Sequence, residues 1–216
     1  MKYLRLLLFA ITLILASCQR DTHTYAVITT GFGDITIKLY NTTPRHRDNF
    51  IKLVEEEFYD YTMFHRVVPD FVVQGGDPKS KNAHPLDLLG DGDPGYLLEP
   101  EIGAIHIRGA VGAARQDDAR NPERKSNGSQ FYLVWGAGVD DATLDMWEQK
   151  KGIRYTPEQR QLYKEKGGLP YLDMDYTVFG EIVDGLDIVE KMEQVPRGRN
   201  DRPTDDIRMK IRLLEK

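Results

Sequence analysis

The sequence predicts a mainly β protein in which a closed antiparallel barrel is capped by helices. Two observations carry that expectation. Short runs of β-branched and aromatic residues recur between turn signals, and two well-marked amphipathic helical segments stand among them. The 216 residues, 40% hydrophobic and 29% charged, provide for one packed core and leave too little length for a second sizeable domain.

In chain order, Thr24 to Thr30 is β-branched and aromatic. Ile35, Ile37 and Leu39 alternate with Thr36, Lys38 and Tyr40, the two-residue period of a half-buried strand. Gly31-Phe32-Gly33-Asp34 between them makes a hairpin. Thr43-Pro44 has the form of an N-cap followed by proline in the first helical turn. Phe50, Leu53, Val54 and Phe58 follow at helical spacing in a helix running through Glu57. Met63 to Val68 and Phe71 to Gln74 are strands around Pro69-Asp70, and residues 75–103 read as one long irregular loop. Ala110 to Arg115 and Gln130 to Trp135 are strands bracketing a polar loop. Residues 136–170 differ in character, with helices over Asp141 to Lys150 and after the capping-box pattern of Thr156 and Gln159. Tyr176 to Val183 returns to strand, Leu186 to Met192 is helical, and Ile207 to Leu213 alternates as a last strand.

Residues 1–17 read as a signal peptide: Lys2 and Arg5 precede an apolar stretch from Leu6 to Leu15, too short for an ordinary membrane span. Leu15-Ala16-Ser17-Cys18 resembles a bacterial lipobox, which implies lipidation of Cys18, a tether over 18–23 and a globular domain over 24–216. The expected location is the cell envelope. Gln19, where aspartate would signal inner-membrane retention, favours the outer membrane. Without residues 1–17 the chain carries 27 basic and 34 acidic side chains, a net charge of −7. That balance argues against nucleic acid as a partner.

Three segments concentrate polar and aromatic groups. Phe64-His65-Arg66-Val67-Val68-Pro69-Asp70-Phe71-Val72-Val73-Gln74-Gly75-Gly76-Asp77 places a permanent cation, an aromatic ring and an amide on two adjacent short strands. Ser126-Asn127-Gly128-Ser129-Gln130-Phe131-Tyr132 adds a polar turn and a strand, and Leu172 to Gly180 adds Leu172 and Tyr176. In these motifs the chain resembles the cyclophilins, the peptidyl-prolyl isomerase family, over about Thr24 to Leu214, interrupted mainly by 136–170. The resemblance implies an eight-stranded barrel with two capping helices and a helical insertion. It also implies isomerisation of peptide bonds preceding proline, with Arg66 as the catalytic cation donating to the imide nitrogen. Phe71, Val72, Tyr132 and Leu172 would form an apolar socket for the proline ring, and Gln74 would hold a substrate carbonyl. The backbone at Ala114 and Arg115 would pair with the flanking peptide, and Gln130, Tyr171 and Tyr176 complete the binding set. No cofactor or metal is implied; the domain is expected to act as a monomer on proline-containing peptides and unfolded proteins.

The sequence also departs from the family's animal members. Tyr171 stands where they carry the pocket tryptophan, Tyr176 in place of a histidine, Tyr132 in place of a phenylalanine and Arg115 in place of an asparagine. Loss of the tryptophan implies weak cyclosporin binding. Two roles are open for the insertion: to rim or partly cover the substrate groove, or merely to pack against the barrel. The competing function is a holdase that grips proline segments without turnover, for which a donor aimed at the imide nitrogen has no use. His65 and His106 have no partners at metal-ligand spacing, Gly90, Gly92 and Gly95 fit turn chemistry, Asn127-Gly128-Ser129 reads as a turn rather than a glycosylation site, and Ser129 lacks the partners of a nucleophile.

Overall fold

A hairpin opens the chain in the computed structural model, which describes residues 22–214. Strand β1 (Thr24–Thr30) turns through Gly31-Phe32 into β2 (Gly33–Leu39), pairing Thr30 with Gly33 and Thr24 with Leu39. The turn is two residues tighter than the four expected, because Gly33 and Asp34 already belong to the ladder. Alternation sends Ala26, Ile28, Ile35, Ile37 and Leu39 inward, all fully buried. The chain continues through α1 (Pro44–Glu55), β3 (Met63–Val68), β4 (Val72–Gly75), β5 (Leu97–Leu98), β6 (Ala110–Ala113), β7 (Ser126–Asn127), β8 (Phe131–Val134), α2 (Asp141–Lys151), α3 (Pro157–Lys166), β9 (Val178–Asp184), α4 (Leu186–Glu193) and β10 (Ile207–Leu213). Eight strands close a barrel in the order β1-β10-β3-β4-β8-β6-β9-β2, every neighbouring pair antiparallel. Closure leaves the barrel without an unpaired edge.

The core within the barrel is aromatic at one end. Phe50, Tyr59, Phe64, Phe131 and Phe179 meet at centroid distances of 5.2 to 5.9 Å, and tilted or edge-on rings are the favoured geometry for such pairs. Helix α1 reaches this core with Phe50, Leu53 and Val54, and α4 with Ile188, Val189 and Met192. These are the two capping helices expected.

Several boundaries differ from the sequence reading. Helix α1 stops at Glu55, and Glu57 takes a left-handed φ of 52°, which ends any helix there. Strand β6 ends at Ala113, and β9 starts at Val178 rather than Tyr176. The supposed loop 75–103 contains a 3-10 turn at Pro78–Asn82, and its β5 pairs with β7. Asp77 organises this segment by accepting from the amides of Lys79 (2.8 Å), Gly90 (2.6 Å) and Gly92 (3.2 Å). Gly92 has to be glycine, since a Cβ there would lie 2.0 Å from Asp77 Oδ1.

Thr43 does not cap α1 with its side chain; its hydroxyl donates to the Tyr40 carbonyl instead. The cap comes from far along the chain. Glu101 accepts from the amides of Arg45 (3.2 Å) and His46 (3.0 Å) and from His46 Nδ1 (2.7 Å). A carboxylate there satisfies orphan amides and opposes the positive end of the helix dipole.

The insertion lies outside the barrel, and its two helices hold each other. Asp140 caps α2, Thr156 and Gln159 form the reciprocal capping box expected for α3, and Arg160 of α3 bridges Asp141, Asp145 and Glu148 of α2. Leu144, Tyr155, Tyr163 and Leu169 then join Val72, Tyr132, Val134, Leu172 and Val178 in a second apolar cluster on the barrel's outer wall.

Acid should loosen this fold. Burial pushes the His46 and His65 rings below the ordinary histidine value of 6.5; Glu101 opposes this for His46, and Asp77 for His65, without reversing it. Below pH 6.5 the unfolded chain takes up protons that the native rings refuse, so stability falls with pH by up to about 1.4 kcal/mol per pH unit for each ring. Burial alone would raise the Glu101 carboxyl, but the bonds from His46 and the two amides outweigh it and hold it below its usual 4.5. Its share of stability, full above 4.5, is lost at still lower pH. Melting temperatures measured from pH 8 to 5 should be level above about 7 and fall below 6.5, with a shallower fall in His65→Phe. A level profile down to pH 5 would contradict this account.

Candidate active site

Outward-facing residues of four adjacent strands line up across the barrel wall. Arg66 on β3 pairs with Gln74 on β4, Gln74 with Tyr132 on β8, and Tyr132 with Gly112 on β6. Strands stand about 4.8 Å apart, so the row spans roughly 14 Å. The inward neighbours Val67, Val73, Leu133 and Val111 belong to the barrel core, which fixes the opposite face for the row. Gly112 is required at its end: a Cβ there would fall 2.3 to 2.5 Å from the outer atoms of the Tyr132 ring.

Arg66 turns towards the residues expected of it. Its guanidinium carbon sits 5.5 Å from the Phe71 ring centroid, and Nε makes a loose ion pair with Asp201 at 3.6 Å. Beside it a cleft of about 1300 Å³ opens between residues 85–91 and 198–206, with Arg66 and Gln74 in its wall. Val72, Tyr132 and Leu172 are buried together, with Phe71 and Tyr176 partly exposed against the same cluster. Tyr171 is 39% exposed and stacks on Phe71 at 6.1 Å, so it walls the same site.

Two assignments change. Gln130 is buried and does not face a ligand; its Nε2 donates to the Gly92 carbonyl (2.6 Å), and its Oε1 accepts from Gln74 Nε2 (3.1 Å). It holds Gln74, and is itself held through the loop that Asp77 organises. The backbone of Ala114 is also committed, its amide donating to Gln130 and its carbonyl accepting from Asn127, so it cannot pair as expected with a peptide. The main chain of Arg115, by contrast, makes no hydrogen bond to another described residue. The Arg115 side chain lies 4.4 Å over the Tyr176 ring and binds the Asp175 carbonyl and Asp118.

Sequence reasoning missed the group behind the site. Asp173 is buried, and its Oδ1 accepts from the His106 amide and from His106 Nδ1, both at 2.8 Å. Oδ2 accepts from the hydroxyls of Tyr155 (2.8 Å) and Tyr163 (2.5 Å). A carboxylate only accepts, so His106 carries its proton on Nδ1, and Nε2 faces the Tyr132 hydroxyl at 2.9 Å. Burial raises the Tyr132 phenol well above its ordinary range, which keeps its hydroxyl protonated in that contact. Leu172-Asp173-Met174-Asp175 was visible in the sequence, but nothing local signalled that Asp173 reaches residue 106.

The insertion therefore packs on the barrel and props the socket from behind. It approaches the groove through Trp147 on α2, whose ring lies 5.8 Å from that of Tyr171.

An eight-stranded closed barrel with an arginine–glutamine–aromatic groove on its outer wall defines a cyclophilin-type protein. The family described as cyclophilin type peptidyl-prolyl cis-trans isomerase/CLD matches residues 25–212, and the chain belongs to that family. A Staphylococcus aureus (strain USA300) protein, named as a candidate peptidyl-prolyl cis-trans isomerase, is 33% identical over 84% of this chain and 86% of its own. A similarly named Staphylococcus epidermidis protein is 32% identical over 87% and 90%. A Cryptosporidium parvum cyclophilin type isomerase shares the fold, with a TM-score of 0.66 and 23% identity over 90% of this chain and 99% of that one. A second structure of it, in the presence of the dipeptide Ala-Pro, gives 0.64 and 24% over 89% and 99%.

Asp173→Ala should cost about 3–5 kcal/mol, since it strips a buried histidine and two buried phenols of their shared partner. Chemical denaturation of wild type and variant checks this; a loss under 1 kcal/mol would show that the contacts are dispensable.

Proposed function

We propose that this chain accelerates cis/trans rotation about X-Pro bonds of exported proteins, working at the outer-wall groove with Arg66 as the catalytic cation. The observation that carries the reading is the placement of Arg66, directly across the ladder from Gln74 and over the ring of Phe71. The family supplies the reaction class and suggests the residue roles, which the geometry supports.

Amide resonance sets a barrier of about 18–20 kcal/mol to this rotation, which takes tens to hundreds of seconds uncatalysed. A millisecond turnover needs four to five decades, roughly 5.5–7 kcal/mol. The rotation calls for no nucleophile and no bond cleavage. It calls for a site that binds the twisted imide better than either planar form. In the twisted form nitrogen regains a lone pair, to which an always-protonated guanidinium can donate. The Arg66 guanidinium makes no hydrogen bond among the described residues, so its donors are available. The twisted amide is also less polar than the planar one, so the socket of Val72, Leu172, Phe71 and Tyr132 favours it by excluding water. Gln74 spends one N–H on Gln130 and keeps the other, with its carbonyl oxygen, for the peptide backbone. Gln130, His106 and Asp173 position Gln74 and Tyr132 without touching substrate.

Arg66→Ala should lower kcat/KM on a proline tetrapeptide by about 100- to 1000-fold, the scale of losing one transition-state donor at ~2.7–4 kcal/mol. Peptide binding should change far less. Equal rates would defeat the catalytic claim, and protection of unfolded clients that survived at full strength would support a holdase instead.

Cys18 and residues 1–17 lie outside the described residues. We place the working enzyme on a membrane through a lipid on Cys18, with residues 18–23 as tether and the cell envelope, at the outer membrane, as its location. The lipobox-like Leu15-Ala16-Ser17-Cys18 supports this, since several acyl chains make a durable anchor. Cys18→Ser, expressed in full length in a bacterial host, should move the protein from the membrane pellet to the soluble fraction. A wild-type chain recovered wholly soluble would remove the anchor.

A further inference from the structure

The groove does not end at the proline socket. Arg66 lies over Phe71 at 5.5 Å, Phe71 stacks on Tyr171 at 6.1 Å and 21°, and Tyr171 meets Trp147 at 5.8 Å and 40°. Three such steps reach at most as far as about five residues of extended peptide. The far end belongs to the insertion, on whose helix α2 Trp147 sits, and two further apolar side chains near these rings in sequence, Met146 and Met174, are 51% and 52% exposed. Tyr171 is exposed and Phe71 and Trp147 are half-buried, so this row of rings keeps apolar surface open to a ligand where it meets the proposed groove.

Trp147 is also held in place before any ligand arrives. Lys150 Nζ lies 4.6 Å and Lys151 Nζ 5.8 Å from its ring centroid. Lys151 is anchored in turn on the Asp173 carbonyl and the Asp175 carboxylate, both at 2.6 Å. A ring fixed by its own neighbours loses little freedom on binding, which favours affinity.

We propose that Trp147 and Tyr171 form an auxiliary subsite that takes an aromatic or large apolar side chain of the client near its proline. The insertion thereby sets sequence preference. This rests on the reading that proline peptides occupy the Arg66–Phe71 groove.

The test is a peptide series with Phe, Leu or Gly placed one, two or three residues from proline on either side. Wild type should prefer Phe over Gly at one of these positions by about tenfold in kcat/KM. Trp147→Ala should bring that ratio close to one, and Trp147→Phe should keep part of it. A ratio unchanged in Trp147→Ala, with all peptides slowed alike, would make Trp147 a mere prop for Tyr171 and overturn the proposal. So would a wild type with no preference at any position. Trp135→Phe leaves Trp147 as the sole tryptophan; its fluorescence should shift on titration with the preferred Phe peptide and not with its Gly counterpart. The same titration in Arg66→Ala separates the two ideas. A Phe-dependent shift that persists, while Arg66→Ala retains full isomerase rate, sinks the catalytic role and leaves the subsite standing.

Discussion

Asp173 is buried with four donors around its carboxylate, two from His106 and two from the insertion tyrosines, while the far nitrogen of His106 takes the Tyr132 hydroxyl. Taking a carboxylate out of water is costly unless its lone pairs are met, and here each oxygen has two partners. The same contacts join three stretches of chain that are distant in sequence: the strand carrying the socket floor, the segment after β5 and the insertion. Remove that charge and the floor of the groove loses its registration with the wall. The pocket segment Tyr171–Leu172 is adjacent to Asp173 in sequence, so it is pinned by the same group.

The barrel supplies the other constraint. In a closed sheet with side chains alternating in and out, whatever fills the core dictates what faces outward. Val67, Val73, Leu133 and Val111 fill it, and Arg66, Gln74, Tyr132 and Gly112 are consequently arrayed on the wall at strand spacing. The geometry of this row is carried by strands rather than by loops. It depends on ladder register, and a slip of one residue would turn every member inward. The loop from Asp77 to Gly92 adds one adjustment, gripping Gln130 so that Gln74 keeps a single orientation.

Much of this was legible in the sequence. The hairpin, the capping helices, the final strand and the insertion's helices follow from periodicity and cap chemistry, and the motif around Arg66 points to its neighbours Phe71 and Gln74. What sequence could not show is long-range. Glu101 caps a helix that begins 57 residues earlier, because Thr43 turns its hydroxyl to its own loop. Gln130 sits in a motif shared with pocket residues, yet the carbonyl of Gly92 draws its side chain behind Gln74. Ala114 looks free at a strand end, but the polar turn at Asn127 folds back onto its carbonyl. Trp147 offered only a helical position, and its nearness to Tyr171 emerges from the packing of α2 against the segment that Asp173 holds.

Pairing of β1 with β10 makes the first strand of the fold wait for the last. The register Ala26 to Leu213 spans nearly the whole described chain, so barrel closure carries a high contact order and is expected to be a late, slow event. A nascent chain would present β1 and β2 as an open-edged ribbon until its final residues emerge. During that interval the hydrophobic hairpin is exposed to association with other chains, so a prolyl isomerase of this fold itself needs shelter before its last strand is in place.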